Sequence, residues 1–222
     1  MSSEANQAVL VLAPHPDDET FGCGGTIKHM TSFGTTVDVA FMTRGENGFE
    51  STGQAQPAAQ LQLATRREGE ARQACRILGV SQTWFLNGSD GRLLQQPEMA
   101  PVIARLLNQG NYQRVFCPWV EEAHDDHRAT FQWLCHALTL APRAMDVWLY
   151  EVWTPLKPNM VLPIDATVEA KQHAIDVYRS QLDVLDYRAG FMGLSAYRGL
   201  FCSPSRYAEA FITCDSSSLP KL

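Results

Sequence analysis

Two short stretches hold most of the residues whose side chains could do chemistry. "APHPDDETFGCGG" spans residues 13–25 and "EEAHDDHRAT" spans residues 121–130. The first places His15, Asp17, Asp18 and Glu19 almost side by side. Adjacent carboxylates repel one another unless something positive sits among them. A helix N-terminus, an arginine or a metal ion could each supply that charge. The second stretch adds His124 and His127. Two imidazoles and one carboxylate leave an open coordination position on Zn²⁺, the arrangement of a catalytic rather than a structural zinc. Each stretch alone has an ordinary explanation. HxxH can be a solvated helix face, and "PHPDDE" can be an acidic turn capping a helix that starts near Gly24.

The two stretches must be brought together, and the elements around them suggest how. Apolar runs of strand length recur at 8–13, 37–42, 83–86, 114–118 and 146–153. The first is apolar throughout, as a strand covered on both faces would be. Helical segments lie between them. One ends at Gly34, a second reads "REGEARQACRIL" and stops at Gly79, a third runs from Pro97 to Gly110, and "DHRATFQWLCHAL" follows the fourth strand. This alternation predicts an α/β fold, a Rossmann-like, mostly parallel sheet with helices on both faces. Ligands in such sheets collect outside the carboxyl ends of the strands. Both polar stretches begin where a strand ends, so His15, Asp17, Asp18, His124 and His127 can converge on one edge. Further on, an irregular arm or hairpin is expected at "PLKPNMVLPID", then a helix from about 167 to 185, and a last strand at "YAEAFITC". The polar, Gly-rich segment 45–60 reads as a loop that could serve as a lid.

Composition narrows the class. A chain of 222 residues with 45% hydrophobic content suits a single packed domain over 1–222. A net charge of −6 and no Lys/Arg block argue against nucleic acid as a partner. No apolar run approaches a membrane span of about 18 residues, and "MSSEANQ" lacks the features of a signal peptide. Six scattered cysteines without a CxxC pair suit reduced thiols and a cytoplasmic home. Cys23 reads as buried packing. His29, His136 and His173 have no acidic companions at ligand spacing.

"PHPDDETFGCGG" and "HDDH" together resemble the PIG-L/LmbE-like zinc-dependent N-acetylglucosaminyl deacetylases. "TRGENG" (43–48), "RREGEARQACRILGV" (66–80) and "SDGRL" (89–93) follow in the family's order, and the resemblance extends over roughly residues 8–213. Pro14 stands where alanine is commoner before the histidine, and Asp125 replaces the usual proline of HPDH. The resemblance implies that His15, Asp18 and His127 bind Zn²⁺, with other divalent ions such as Fe²⁺ as alternatives. It implies Asp17 as general base, a protonated His124 facing the oxyanion, and Glu46, Arg67 and Asp90 holding the sugar. Each of the last three also has a simple structural explanation: a loop charge, a helix pair of Arg67 with Glu70, and a turn at "SDG".

The expected activity is removal of the N-acetyl group from an N-acetylglucosamine derivative, a small-molecule sugar conjugate, by metal-activated water. Two rivals are a non-catalytic carbohydrate- or metal-binding module on the same fold and a non-haem Fe(II) oxygenase. The first would be expected to lose the base before the ligands, and the second usually occupies all-β barrels. A homo-oligomer is also possible, with the aromatics of "WTPLKPN" suited to a subunit contact.

Overall fold

The computed structural model describes residues 8–48 and 56–219. Seven strands form one sheet: β1 (Ala8–Ala13), β2 (Thr36–Thr43), β3 (Gln82–Gly88), β4 (Arg114–Pro118), β5 (Asp146–Tyr150), β6 (Met160–Pro163) and β7 (Ala208–Asp215). Their spatial order is β3-β2-β1-β4-β5-β7-β6. The first five pair in parallel, and β7 runs antiparallel between β5 and β6. The predicted α/β class therefore holds. The arm expected after residue 154 becomes β6, paired with the last strand.

Seven helices cover the sheet: α1 (Asp18–Ser32), α2 (Pro57–Leu78), α3 (Met99–Gly110), α4 (Asp125–Leu140), α5 (Val168–Ile175), α6 (Arg179–Leu182) and α7 (Tyr187–Gly199). The all-apolar β1 explains the layering. Leu10 and Leu12 join one core with α3 and α4, while Val9, Val11 and Ala13 join the other with α1, α2, α5 and α7. A side chain on one strand thus alternates between two closed cores, each burial contributing roughly 1.5–3 kcal/mol for a large aliphatic group.

Three expectations need correction. The first helix starts at Asp18 rather than near Gly24, and its backbone breaks at Cys23 (φ −143, ψ 20). The helix expected over 167–185 is two short helices, interrupted before Tyr178. α7 forms where the sequence pattern marks no helix. Residues 49–55 of the expected 45–60 loop lie outside the described residues, and Pro57 already opens α2.

The order in which strands are added reverses between the parallel neighbours β1 and β4, whose carboxyl ends are Ala13 and Pro118. A crevice at this point is where open α/β sheets bind ligands. Both polar stretches leave the sheet there. α1 lies close against β5, and a Cβ at Gly22 would meet the Tyr150 ring at 2.4 Å, so this helix needs its glycine to seat its N-terminus over the sheet.

Candidate metal and active site

Three neighbouring carboxylates coexist because the backbone sends each to a different partner. Asp17 has φ 133 and ψ −30, a conformation rarely adopted by a residue with a side chain, and its carbonyl accepts the first amides of α1 from Thr20 and Phe21. Its carboxylate meets Arg67 Nη2 at 3.0 Å. Asp18 turns the other way, and its Oδ2 lies 3.2 Å from His15 Nδ1 and 3.2 Å from His127 Nε2. Glu19 is fully buried and accepts from the Tyr178 hydroxyl at 2.5 Å, the Thr20 hydroxyl and the amide of Asp17. The charges are separated by direction, and two of them face cationic or imidazole groups.

The environment tunes these groups apart. Burial pushes the Asp17 carboxyl up to about 8, against the pull of the Arg67 guanidinium. Burial also opposes ionisation of Asp18, but the His127 and His15 imidazoles overcome it and hold that carboxyl well below the usual range. Glu19 is pushed up to about 7 by burial, despite its three hydrogen bonds. His15 and His127 feel the same burial in the opposite sense, and the carboxylates around them win and raise both.

The second loop delivers its residues at the start of α4. His124 is the N-cap, and its Nδ1 accepts the amide of Asp126 at 3.2 Å. That bond leaves Nε2 as the N–H donor of the neutral ring. Burial, with His15 and His127 nearby, lowers the His124 pKa. Asp125, in place of proline, pairs with Arg128, which also donates to the carbonyls of Glu122 and Ala123. The loop keeps a brace without the proline ring.

Two residues with no role assigned from sequence complete the frame. Asp126 Oδ2 lies 3.1 Å from His15 Nε2 and accepts the amide of Gly91, while its Oδ1 accepts that of Leu93. Glu122 approaches His127 Nδ1 at 3.6 Å and accepts the amides of Val152 and Trp153. Carboxylates behind ligand histidines fix ring orientation and basicity. The signal was present, since both flank the histidines in "EEAHDDH", but spacing alone could not say which acid faces which ring.

The three residues expected to hold sugar meet different fates. Arg67 does not pair with Glu70 on its own helix. It is buried, spanning Asp17, the Pro16 carbonyl and the Gly45 carbonyl. Gly45 permits this approach, with φ +68 and room that a Cβ would fill at 2.5 Å from the guanidinium. Asp90 sits in the expected turn, yet its Oδ1 is 3.2 Å from His15 Nε2 and its Oδ2 accepts the amide of Asn47. Burial resists its ionisation, and the hydrogen bond and charge of His15 bring it down to about 2. Glu46 braces Asp90 by accepting its amide and lines an adjoining cavity with Arg44 and Gln60. His15, Asp17, Asp18, Arg67, Asp90 and His124 all line one cavity of about 360 Å³, shared with Phe21, Trp153 and Tyr187. Trp153, expected at a subunit surface, is part of this wall. His127 lies fully buried behind it.

The donor set fits a divalent ion. His127 Nε2 is 3.2 Å from Asp18 Oδ2, but neither nitrogen of this buried ring makes a hydrogen bond. Two ligands about 2.0–2.1 Å from one tetrahedral ion would stand about 3.4 Å apart. Among the described residues, the two sets whose ligand atoms all lie within 4.8 Å of one another are His15, His124 and His127, and His15, Asp90 and Asp126; Asp18 meets His15 and His127 pairwise. His29, His136 and His173 are exposed, and Cys23 is buried with its thiol on the Glu19 carbonyl.

Comparison with known proteins places the chain among deacetylases in sequence and in fold. A diacetylchitobiose deacetylase from Thermococcus kodakarensis is 29% identical over 223 residues, covering 90% of this chain and 80% of that protein. A probable N-acetyl-α-D-glucosaminyl L-malate deacetylase 2 from Bacillus cereus is 27% identical over 187 residues, 80% of this chain and 84% of that protein. The solved structure of N,N'-diacetylchitobiose deacetylase from Pyrococcus horikoshii, in complex with an inhibitor, superposes with a TM-score of 0.84 at 26% identity, covering 95% of this chain and 85% of that one. Residues 10–138, which run from β1 to the end of the buried part of α4, match the family model for GlcNAc-PI de-N-acetylase, and the chain belongs to the PIG-L family.

Proposed function

We propose that this chain hydrolyses the N-acetyl group of an N-acetylglucosamine derivative, with Zn²⁺ held by His15, Asp18 and His127 and Fe²⁺ as the alternative metal. The observation that carries this reading is Asp18 Oδ2 lying 3.2 Å from a nitrogen of each histidine, with Asp17 beside it and turned elsewhere. When bound there, the ion lowers the pKa of a water toward about 7 and polarises the acetyl carbonyl.

Asp17 is the residue that moves protons. It takes one from the attacking water as the oxygen bonds to the acetyl carbon, and returns one to the nitrogen as the C–N bond breaks. Free amine and acetate leave. A carboxyl with raised proton affinity suits a group that must hold a proton between these steps. His124 donates from Nε2 to the tetrahedral oxyanion, and its neutral form needs no proton exchange to do so. Asp126 and Glu122 hold the two ligand histidines in register. Asp90 and Arg67 bound the sugar pocket, and Glu46 acts on the sugar through its hold on Asp90.

The described helices include none long and apolar enough to cross a membrane, and six free cysteines suit a reducing cytoplasm. The fold also weakens the oxygenase rival, whose sites usually occupy β-barrels. The test is amine release from N-acetylglucosamine conjugates, before and after chelation. Metal-dependent release supports the reading; release that survives complete metal removal contradicts it.

A further inference from the structure

The stretch "YRSQ" (178–181) lies at the break between α5 and α6 and takes no part in the hydrolytic steps above. Two of its side chains nevertheless reach the helices that carry Asp17 and Arg67. The Tyr178 hydroxyl donates to Glu19 Oε1 at 2.5 Å, on α1, and the Thr20 hydroxyl donates to the same oxygen. Glu19 Oε2 in turn accepts the Asp17 amide at 3.1 Å. Ser180 reaches α2, where its amide and hydroxyl donate to the two oxygens of Glu70 at 2.9 Å and 2.6 Å. Glu70 lies one helical turn beyond Arg67, whose Nη2 meets the Asp17 carboxylate at 3.0 Å. One short segment thus ties down both supports of Asp17, the one on its amide and the one on its carboxylate.

Asp17 needs such support. A residue with a Cβ keeps φ 133 and ψ −30 only where its surroundings over-determine it. Thr20 and Phe21 hold its carbonyl, Arg67 its carboxylate and Glu19 its amide. The Glu19 side chain has several rotatable bonds, and the Tyr178 phenol removes that freedom. The phenol is itself fixed, because the residue is fully buried and its ring packs edge-on against Phe21 at 6.1 Å.

We infer that Tyr178 is a positioning residue for the general base: it fixes Glu19, and Glu19 holds the Asp17 peptide with the carboxylate facing the cavity. This inference rests on the proposed role of Asp17 and extends the machinery to a segment about 160 positions away.

The experiment compares the zinc-loaded wild type with Tyr178→Phe, which keeps the ring and removes only the hydroxyl. The control, Tyr112→Phe, removes a similar buried phenol–carboxylate bond, to Asp38 Oδ2 at 2.7 Å, just before β4 begins. Nuclear magnetic resonance reads the Asp17 amide, and kinetics with N,N'-diacetylchitobiose read turnover. Tyr178→Phe should move the Asp17 amide resonance and lower kcat about tenfold, with KM and metal content unchanged. Tyr112→Phe should do neither. Glu19→Gln should share the defect, and the double variant should be no slower than Glu19→Gln alone. An unmoved Asp17 amide, equal effects in the two tyrosine variants, or kcat losses that multiply across Glu19 and Tyr178 would overturn the inference. If the wild type releases no amine from any N-acetylglucosamine conjugate, the deacetylase reading falls, and the Asp17 amide still decides whether Tyr178 positions that residue.

Discussion

α1 carries a buried ionic cluster on either side of its break at Cys23, and the two are completed differently. On the far side, Lys171 Nζ donates to Glu209 Oε1 at 2.6 Å, the Phe21 carbonyl at 2.9 Å and the Ser195 hydroxyl at 3.3 Å. Glu209 in turn accepts the amides of Gly25 and Thr26, which the break leaves at the start of a new helical segment. Every ammonium proton has an acceptor, and the carboxylate has a donor on each oxygen. On the near side, both nitrogens of His127 are buried without a hydrogen bond, Asp17 holds a strained backbone angle, and its carboxyl is pushed up to about 8. A closed cluster is architecture. An open one, equally buried, has capacity left for a ligand.

The largest effect expected from breaking this contrast is on stability. Lys171→Met leaves Glu209 buried without its cation, which should cost about 3–5 kcal/mol in denaturant unfolding. Adding Glu209→Gln should recover part of that loss. The folded fraction should keep its metal content in both variants. A parallel fall in metal would make the far cluster part of the site rather than of the frame.

That frame was only partly legible in the sequence. β1 announced itself through an unbroken apolar run, and the two metal stretches through residue type. The start of α1 did not, because Asp18 and Glu19 read as a polar turn while they are in fact its first turn. Nor did α7, where Gly190, Gly193 and Gly199 dilute a helical pattern that Asp186 nevertheless caps by accepting the amide of Ala189. The break before Tyr178 is a tertiary effect: that residue is fully buried with its hydroxyl on Glu19, about 160 positions away in sequence. In the site, residue types identified the candidates, but pairings did not follow. Arg67 with Asp17 and Asp126 with His15 join distant positions that the sheet order brings together, while Glu122 and His127 sit five residues apart in one segment where spacing alone does not say which acid faces which ring.

A smaller effect sharpens the near cluster. Arg67 pulls the Asp17 pKa down, so Arg67→Met should raise it further. A general base works ionised, and the acid limb of the kcat/KM profile should therefore move to higher pH, with metal content unchanged. An unmoved limb with a raised KM would return Arg67 to the sugar-holding role that the family resemblance implies.

Two adjacent aspartates divide the labour of the proposed site, and one paired measurement tests that division: metal stoichiometry and turnover of Asp17→Asn and Asp18→Asn, each with and without excess zinc. Asn keeps the shape and one acceptor oxygen but removes the charge and basicity. Asp17→Asn should hold its metal and lose about 10²–10⁴-fold in rate, with no recovery on adding zinc. Asp18→Asn should lose metal, and excess zinc should restore part of its activity. Zinc rescue of Asp17→Asn, beside a metal-loaded and inactive Asp18→Asn, would contradict the assignment and exchange the two roles.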